Sequence, residues 1–166
     1  MLKRRFVYPA DFAPQPSGEI LVTFPDLAWG VTAGDDESDA VWQAADCLAE
    51  VIAGHIVDGL DIPLPSRRRA GQRLVAVPPA IAAKAALHMV MRDVGVTKAE
   101  LARRLRLEHK EVRRMLDPRL QTKLPRIDDA LWALGYRISL ELDATGADAI
   151  EARDDSAAAT STRAAE

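Results

Sequence analysis

From Phe6 to Ser66 the chain contains no lysine or arginine and eleven Asp and Glu; from Arg67 to residue 142 the balance reverses to 17 Lys and Arg against 8 acids. A change of sign this abrupt predicts two separately solvated units rather than one. The short start adds Lys3, Arg4 and Arg5, and residues 143–166 carry six acids against two arginines, so the formal net charge of −3 averages over unlike parts. The boundaries expected on this basis are 1–77 and 78–142, with 143–166 as a disordered tail poor in large apolar residues. Units of this size, about 65–75 residues, bury a modest share of their surface and are often helped by oligomerisation, so a dimer or higher homo-oligomer is expected.

Several classes are excluded on the same reading. The start, running into Tyr8-Pro9-Ala10-Asp11, lacks the apolar core of a secretory signal, and no stretch approaches the roughly 18 apolar residues of a membrane helix. A soluble, cytoplasmic protein without membrane contact is therefore expected. Cys47 is the only cysteine, so no internal disulfide or thiolate metal cluster can form. His55, His88 and His109 are far apart, each in a helical context, and Ser17 and Ser66 have no neighbouring base. No catalytic residue, metal ligand or cofactor is implied.

The chain reads as α+β. Residues 2–8 and Gly18–Phe24 alternate as two strands joined by a Pro- and Gly-rich turn, and a third strand is expected over Ala28–Ala33. Asp35, Asp36 and Glu37 suit a helix start. From Asp39 the set Val41, Ala44, Ala45, Leu48, Val51, Ile52 and Ile56 recurs every three or four residues, ending at Gly59. After Ile62-Pro63-Leu64-Pro65-Ser66 and the triple arginine Arg67–Arg69, read as a hinge, Leu74–Val77 completes a βββαβ unit. Helices then follow from Pro78-Pro79 to Val94, over Lys98–Arg106 with Thr97 and Glu100 as a capping box, over His109–Leu116, and over Pro125–Leu134. Tyr136, Ile138, Leu140 and Leu142 alternate as a final strand, whose unpaired edges would be satisfied by a second copy.

Two of these helices have helix-turn-helix spacing. Ala102 occupies the close-contact position, Leu101 and Leu105 point to the core, and Val112 and Met115 fall on the inner side of the next helix. Arg106 stands where the turn glycine usually sits; at positive φ a residue with a Cβ costs on the order of 1–2 kcal/mol. The outward side then presents His109, Lys110, Arg113 and Arg114, with Arg119 and Lys123 beyond, as candidate DNA-binding residues. Arg and Lys near the start of such a helix reach guanine O6 and N7 while flanking cations hold phosphates. The alternative is the solvated face of an ordinary helical bundle.

The first unit resembles the HicB antitoxin family in Tyr8-Pro9-Ala10, Gly18, Val22-Thr23-Phe24-Pro25-Asp26-Leu27, Thr32-Ala33-Gly34-Asp35 and Ile62-Pro63-Leu64-Pro65-Ser66. The second half, from Ala82-Ala83-Lys84 through Leu101-Ala102-Arg103-Arg104-Leu105 to Leu131-Trp132-Ala133-Leu134-Gly135, resembles that family's helix-turn-helix form. The resemblance implies a truncated ribonuclease-H-like first domain that masks a small, basic, mRNA-cleaving HicA-type toxin, and a second domain that represses its own operon by binding operator DNA. An anionic first unit suits a cationic partner. Asp26, Asp35 and Asp36 are the candidate toxin contacts, with turn and helix-cap chemistry as the competing reading. Two other functions stay open: a regulator that senses a ligand through an apolar pocket in its first unit, and a metal-dependent nuclease built on the same carboxylates.

Overall fold

The computed structural model describes residues 4–141. Its first half is a four-stranded antiparallel sheet of order β3-β2-β1-β4, formed by β1 (Val7–Pro14), β2 (Ile20–Thr23), β3 (Val31–Gly34) and β4 (Arg73–Ala76), with α1 (Glu37–Asp58) inserted before the last strand. The expected α+β class and βββαβ order are both present. Four shorter helices follow: α2 (Pro79–Asp93), α3 (Lys98–Leu105), α4 (His109–Leu116) and α5 (Leu124–Trp132).

The first strand runs later than its alternation predicts, across Tyr8-Pro9-Ala10. Proline lacks an N–H and is tolerated in a strand only where no ladder bond is needed. β1 meets that condition because it changes neighbours midway: Val7–Ala10 pair with β4, and Asp11–Pro14 with β2. The third strand is also displaced. The segment Phe24–Gly30 is closed on itself by the Leu27 N–H bond to Phe24 O, the Gly30 N–H bond to Leu27 O and the Phe24 N–H bond to Gly30 O, so Ala28 and Trp29 belong to a compact loop. Gly34 ends β3 hard against α1; a Cβ there would lie 2.3 Å from the Ala40 nitrogen, which explains the glycine of Thr32-Ala33-Gly34-Asp35 sterically.

Alternation along the strands sends Tyr8, Ala10, Val22 and Val75 inward, onto Ala40, Ala44, Leu48, Ile52 and Ile56 of α1. Contrary to expectation, α1 is by length and mean hydropathy (1.2 over its best window) apolar enough to cross a membrane. The five buried residues that recur along it face the sheet, the usual arrangement of a core helix. A second core joins Leu101, Ala102, Val112 and Met115 to Ile127, Ala130 and Leu131. Between the two cores stands α2, which gives Ala85 and Met89 to the first and Ala83, Leu87, Val90 and Met91 to the second.

Two sequence expectations change here. Arg67–Arg69 lie within the first unit, before β4, where Arg69 N–H donates to Gln72 Oε1 at 2.9 Å; they are part of a folded loop rather than a hinge between units. Residues 136–141 form no strand pairing among the described residues. The Tyr136 N–H bonds Leu131 O and the Ile138 N–H donates to Asp128 Oδ1 at 3.1 Å, so α5 supplies acceptors to two of the donors on this segment. Leu142 and the tail 143–166 lie outside the described residues.

Candidate nucleic-acid interface and acidic face

The helix-turn-helix is built as its spacing predicts. Thr97 caps α3, its Oγ1 accepting from the Glu100 N–H at 3.1 Å, and Leu101, Ala102, Val112 and Met115 are all buried between α3 and α4. Arg106 closes α3 at φ 53°, the only positive φ outside glycine among the described residues. The left-handed turn is therefore made at the expected cost, and it frees the Leu107 N–H to bond Ala102 O at 2.9 Å.

Around α4 the candidate cations divide by what already holds them. His109, Lys110, Arg113, Arg114 and Lys123 are exposed and enter no ion pair among the described residues. Arg119 sits 3.8 Å from Asp117, while Arg103 and Arg104 converge on Glu100 at 2.8 and 3.0 Å. Those two guanidinium hydrogen bonds hold the Glu100 carboxyl below its usual range. The unpaired set carries the larger share of whatever charge this surface offers an anion, since paired cations are already compensated.

His109, Lys110, Arg113, Arg114 and Arg119 line one side of an open cleft of about 890 Å³, whose other wall is the C-terminal end of α1, Ile56–Gly59. Ligand sensing calls for an apolar pocket inside the first unit; this cleft instead opens between α1 and the helical half, and most of its charged lining residues are cationic. Its floor is tied by Arg92, which bonds Asp61 Oδ1 at 2.7 Å and Gly59 O at 2.6 Å, and by His88 Nε2, 2.8 Å from Leu60 O. Burial is the largest cause holding the His88 imidazole below its ordinary pKa, and the nearby Arg92 and Lys98 charges add to it.

One positioning residue enters the sequence reading only as a member of the Ala82-Ala83-Lys84 stretch, with no role attached. Lys84 of α2 is 2% exposed, and its Nζ donates to the backbone carbonyls of Asp117 and Leu120. It thereby fastens the segment between α4 and α5 to α2, and burial lowers its pKa. A buried ammonium is costly unless its protons find acceptors, which here are two carbonyls of the loop that follows α4.

The acidic candidates have structural partners. Asp26 accepts the Ser66 N–H at 2.8 Å, pinning the Pro63–Ser66 strap, whose Pro63 carbonyl accepts from Tyr8 Oη at 2.8 Å. Burial, and secondarily the Asp26 charge, pushes the Tyr8 phenol up to about 12. Asp36 is the N-cap of α1, accepting the Asp39 N–H at 2.9 Å. Asp35 is exposed and its own N–H donates to Asp39 Oδ2 at 3.0 Å. Cap and strap chemistry thus accounts for Asp36 and Asp26 locally, leaving Asp35 the least committed of the three. Burial raises the Cys47 thiol above its ordinary pKa, as suits an unreactive side chain. Among the described residues no three His, Cys, Asp or Glu side chains gather as a metal site.

An α+β unit bearing no cation between Phe6 and Ser66 is joined through a shared helix to a cationic helix-turn-helix. Comparison with known proteins supplies the family. Residues 7–86 match the model of the HicB-like antitoxins of bacterial toxin–antitoxin systems. Antitoxin HicB 1 of Photorhabdus laumondii is 32% identical over 136 residues, covering 82% of this chain and 86% of that protein. Antitoxin HicB of Escherichia coli K12 is 31% identical over 133 residues, covering 80% and 96%, and that of Pseudomonas fluorescens is 29% identical over 140 residues, covering 84% and 95%. This chain belongs to the HicB antitoxin family.

Proposed function

We propose that the chain is a non-enzymatic, cytoplasmic antitoxin. Its acidic first unit holds a small basic HicA-type toxin, and α3–α4 bind operator DNA to repress the operon encoding both. The observation that carries the DNA half is the position of the unpaired cations. Lys110, Arg113 and Arg114 are exposed on the second helix of a packed helix-turn-helix, with Lys123 beyond it at the start of α5. Two copies join through the end of α5 and the segment after it, where Trp132 and Leu140 are 62% and 72% exposed and the backbone of 136–141 has no strand neighbour among the described residues. A two-fold dimer presents two recognition helices to two half-sites.

The test is operator binding by the full chain across a salt series. Arg113→Ala reduces discrimination between operator and unrelated duplex, whereas Lys123→Ala weakens both about equally and lowers the salt slope by roughly one unit. Operator affinity unchanged by Arg113→Ala refutes the assignment of α4. Truncation after Gly135 gives monomers with weak DNA affinity; dimers surviving it place the interface elsewhere.

A further inference from the structure

The sheet has α1 on one face, and strand register identifies what lies on the other. Directly opposed residues share a face in an antiparallel pair, so Val31, Thr23 and Asp11 form one row and Ala33, Leu21 and Ala13 the next. These rows alternate with the inward row of Thr32, Val22 and Phe12. Val31 and Ala33 are exposed, and Leu21 and Thr23 half-buried. A sheet face left to water ordinarily carries polar side chains at such positions. Here the half formed by β2 and β3 is aliphatic apart from Thr23. Trp29, in the loop before β3, is 71% exposed and turns toward the helix side, its ring 6.4 Å from that of His55 in α1. An apolar face of this kind, bordered by polar groups, marks an interaction surface.

Charge selects the occupant. Glu19, Asp26, Asp35 and Asp36 flank the ends of β2 and β3, and no lysine or arginine occurs between Phe6 and Ser66. A second copy apposed through this face would set its own Glu19, Asp26, Asp35 and Asp36 against these, an arrangement in which like charges meet. We propose that the outer face of β2 and β3, formed by Val31, Ala33 and Leu21, is the docking surface for a small cationic protein. That partner's basic groups meet the flanking acids while an apolar patch covers Val31, Leu21 and Ala33. The assignment rests on the antitoxin reading and adds to it where the toxin sits. The aliphatic rows hold the complex together, and the acids set the rate and orientation of encounter.

The experiment measures binding of the full-length chain to the HicA-type toxin encoded beside its gene, purified in a catalytically inactive form. Val31→Arg and, independently, Ala33→Arg each place a cation on an exposed aliphatic position facing a cationic partner; each weakens the complex by at least ~100-fold, with melting temperature and operator affinity retained. Trp42→Ala, exposed on α1 and outside the proposed surface, leaves affinity unchanged. Wild-type affinity in both arginine variants, with loss in Asp35→Asn, overturns the docking surface and leaves the antitoxin reading intact. Failure of the wild-type chain to bind the toxin overturns both. A change of oligomeric state in Val31→Arg without toxin makes the face a contact between copies and overturns the proposal.

Discussion

Replacing Tyr8 by Phe isolates one buried hydrogen bond and gives it a pH signature. The Tyr8 hydroxyl, 2.8 Å from Pro63 O, holds the strap that returns from α1 to β4, and its phenol titrates at about 12 instead of 10. A raised folded-state pKa means that the fold favours the protonated phenol. The associated stability is complete below pH 10 and is lost as pH rises through 12. Between those two values the unfolded chain releases its proton while the folded one keeps it, so each step of one in pH costs about 1.4 kcal/mol, and about that much is gone by pH 11. Tyr8→Phe has no ionisation to oppose; it costs about 1 kcal/mol at pH 7, the net worth of one hydrogen bond, and shows no such decline. Urea unfolding of both proteins at pH 7 and pH 11, followed by circular dichroism, gives the double difference, in which other alkaline titrations cancel. Phenolate absorbance of the folded protein provides a second reading, since Tyr8 and Tyr136 are the two tyrosines of the chain. Ionisation of Tyr8 near pH 10 in the folded protein, or equal decline in the two proteins, refutes the reasoning.

Arg106→Gly removes the cost of a left-handed Cβ at the turn between α3 and α4 while giving the unfolded chain more freedom; the balance is a gain of about 1 kcal/mol or somewhat less, read as a raised urea midpoint. A destabilised Arg106→Gly would mean that the Arg106 side chain makes a contact worth more than the strain. Salt-resolved operator binding of Arg113→Ala and Lys123→Ala, the oligomeric state of the chain truncated after Gly135, and toxin affinity of Val31→Arg complete the set.

The sequence made the helical half far more legible than the sheet. Thr97 with Glu100, the spacing Ala102 to Val112 to Met115, and the glycines after α1 and α5 are local signals, and each leads to the observed element. β1 is displaced because Pro9 and Pro14 read locally as interruptions. Their acceptability depends on which half of the strand has a neighbour, a property of the assembled sheet. Trp29 loses its place in β3 for a similar reason: the closure of Phe24–Gly30 by three backbone bonds is invisible to side-chain alternation. For the site, exposure of Lys110, Arg113 and Arg114 follows from their position opposite the core-facing residues. Lys84 could not be recognised, because an ammonium buried against two carbonyls has the same periodic spacing as its aliphatic neighbours. Asp26 stands out as part of a motif, and its hydrogen bond to Ser66 becomes visible only when residues forty positions apart meet.

The double allegiance of α2 couples the two halves. Ala85 and Met89 belong to one core, and Leu87 and Val90, interleaved with them, to the other. Melting of this helix opens both cores, so the stability of each half depends on the other. Anything bound to either half then lowers the rate at which amides in the other exchange with solvent. A toxin seated on the sheet would guard the recognition helix against unfolding without touching it, and operator DNA would return the same protection to the sheet.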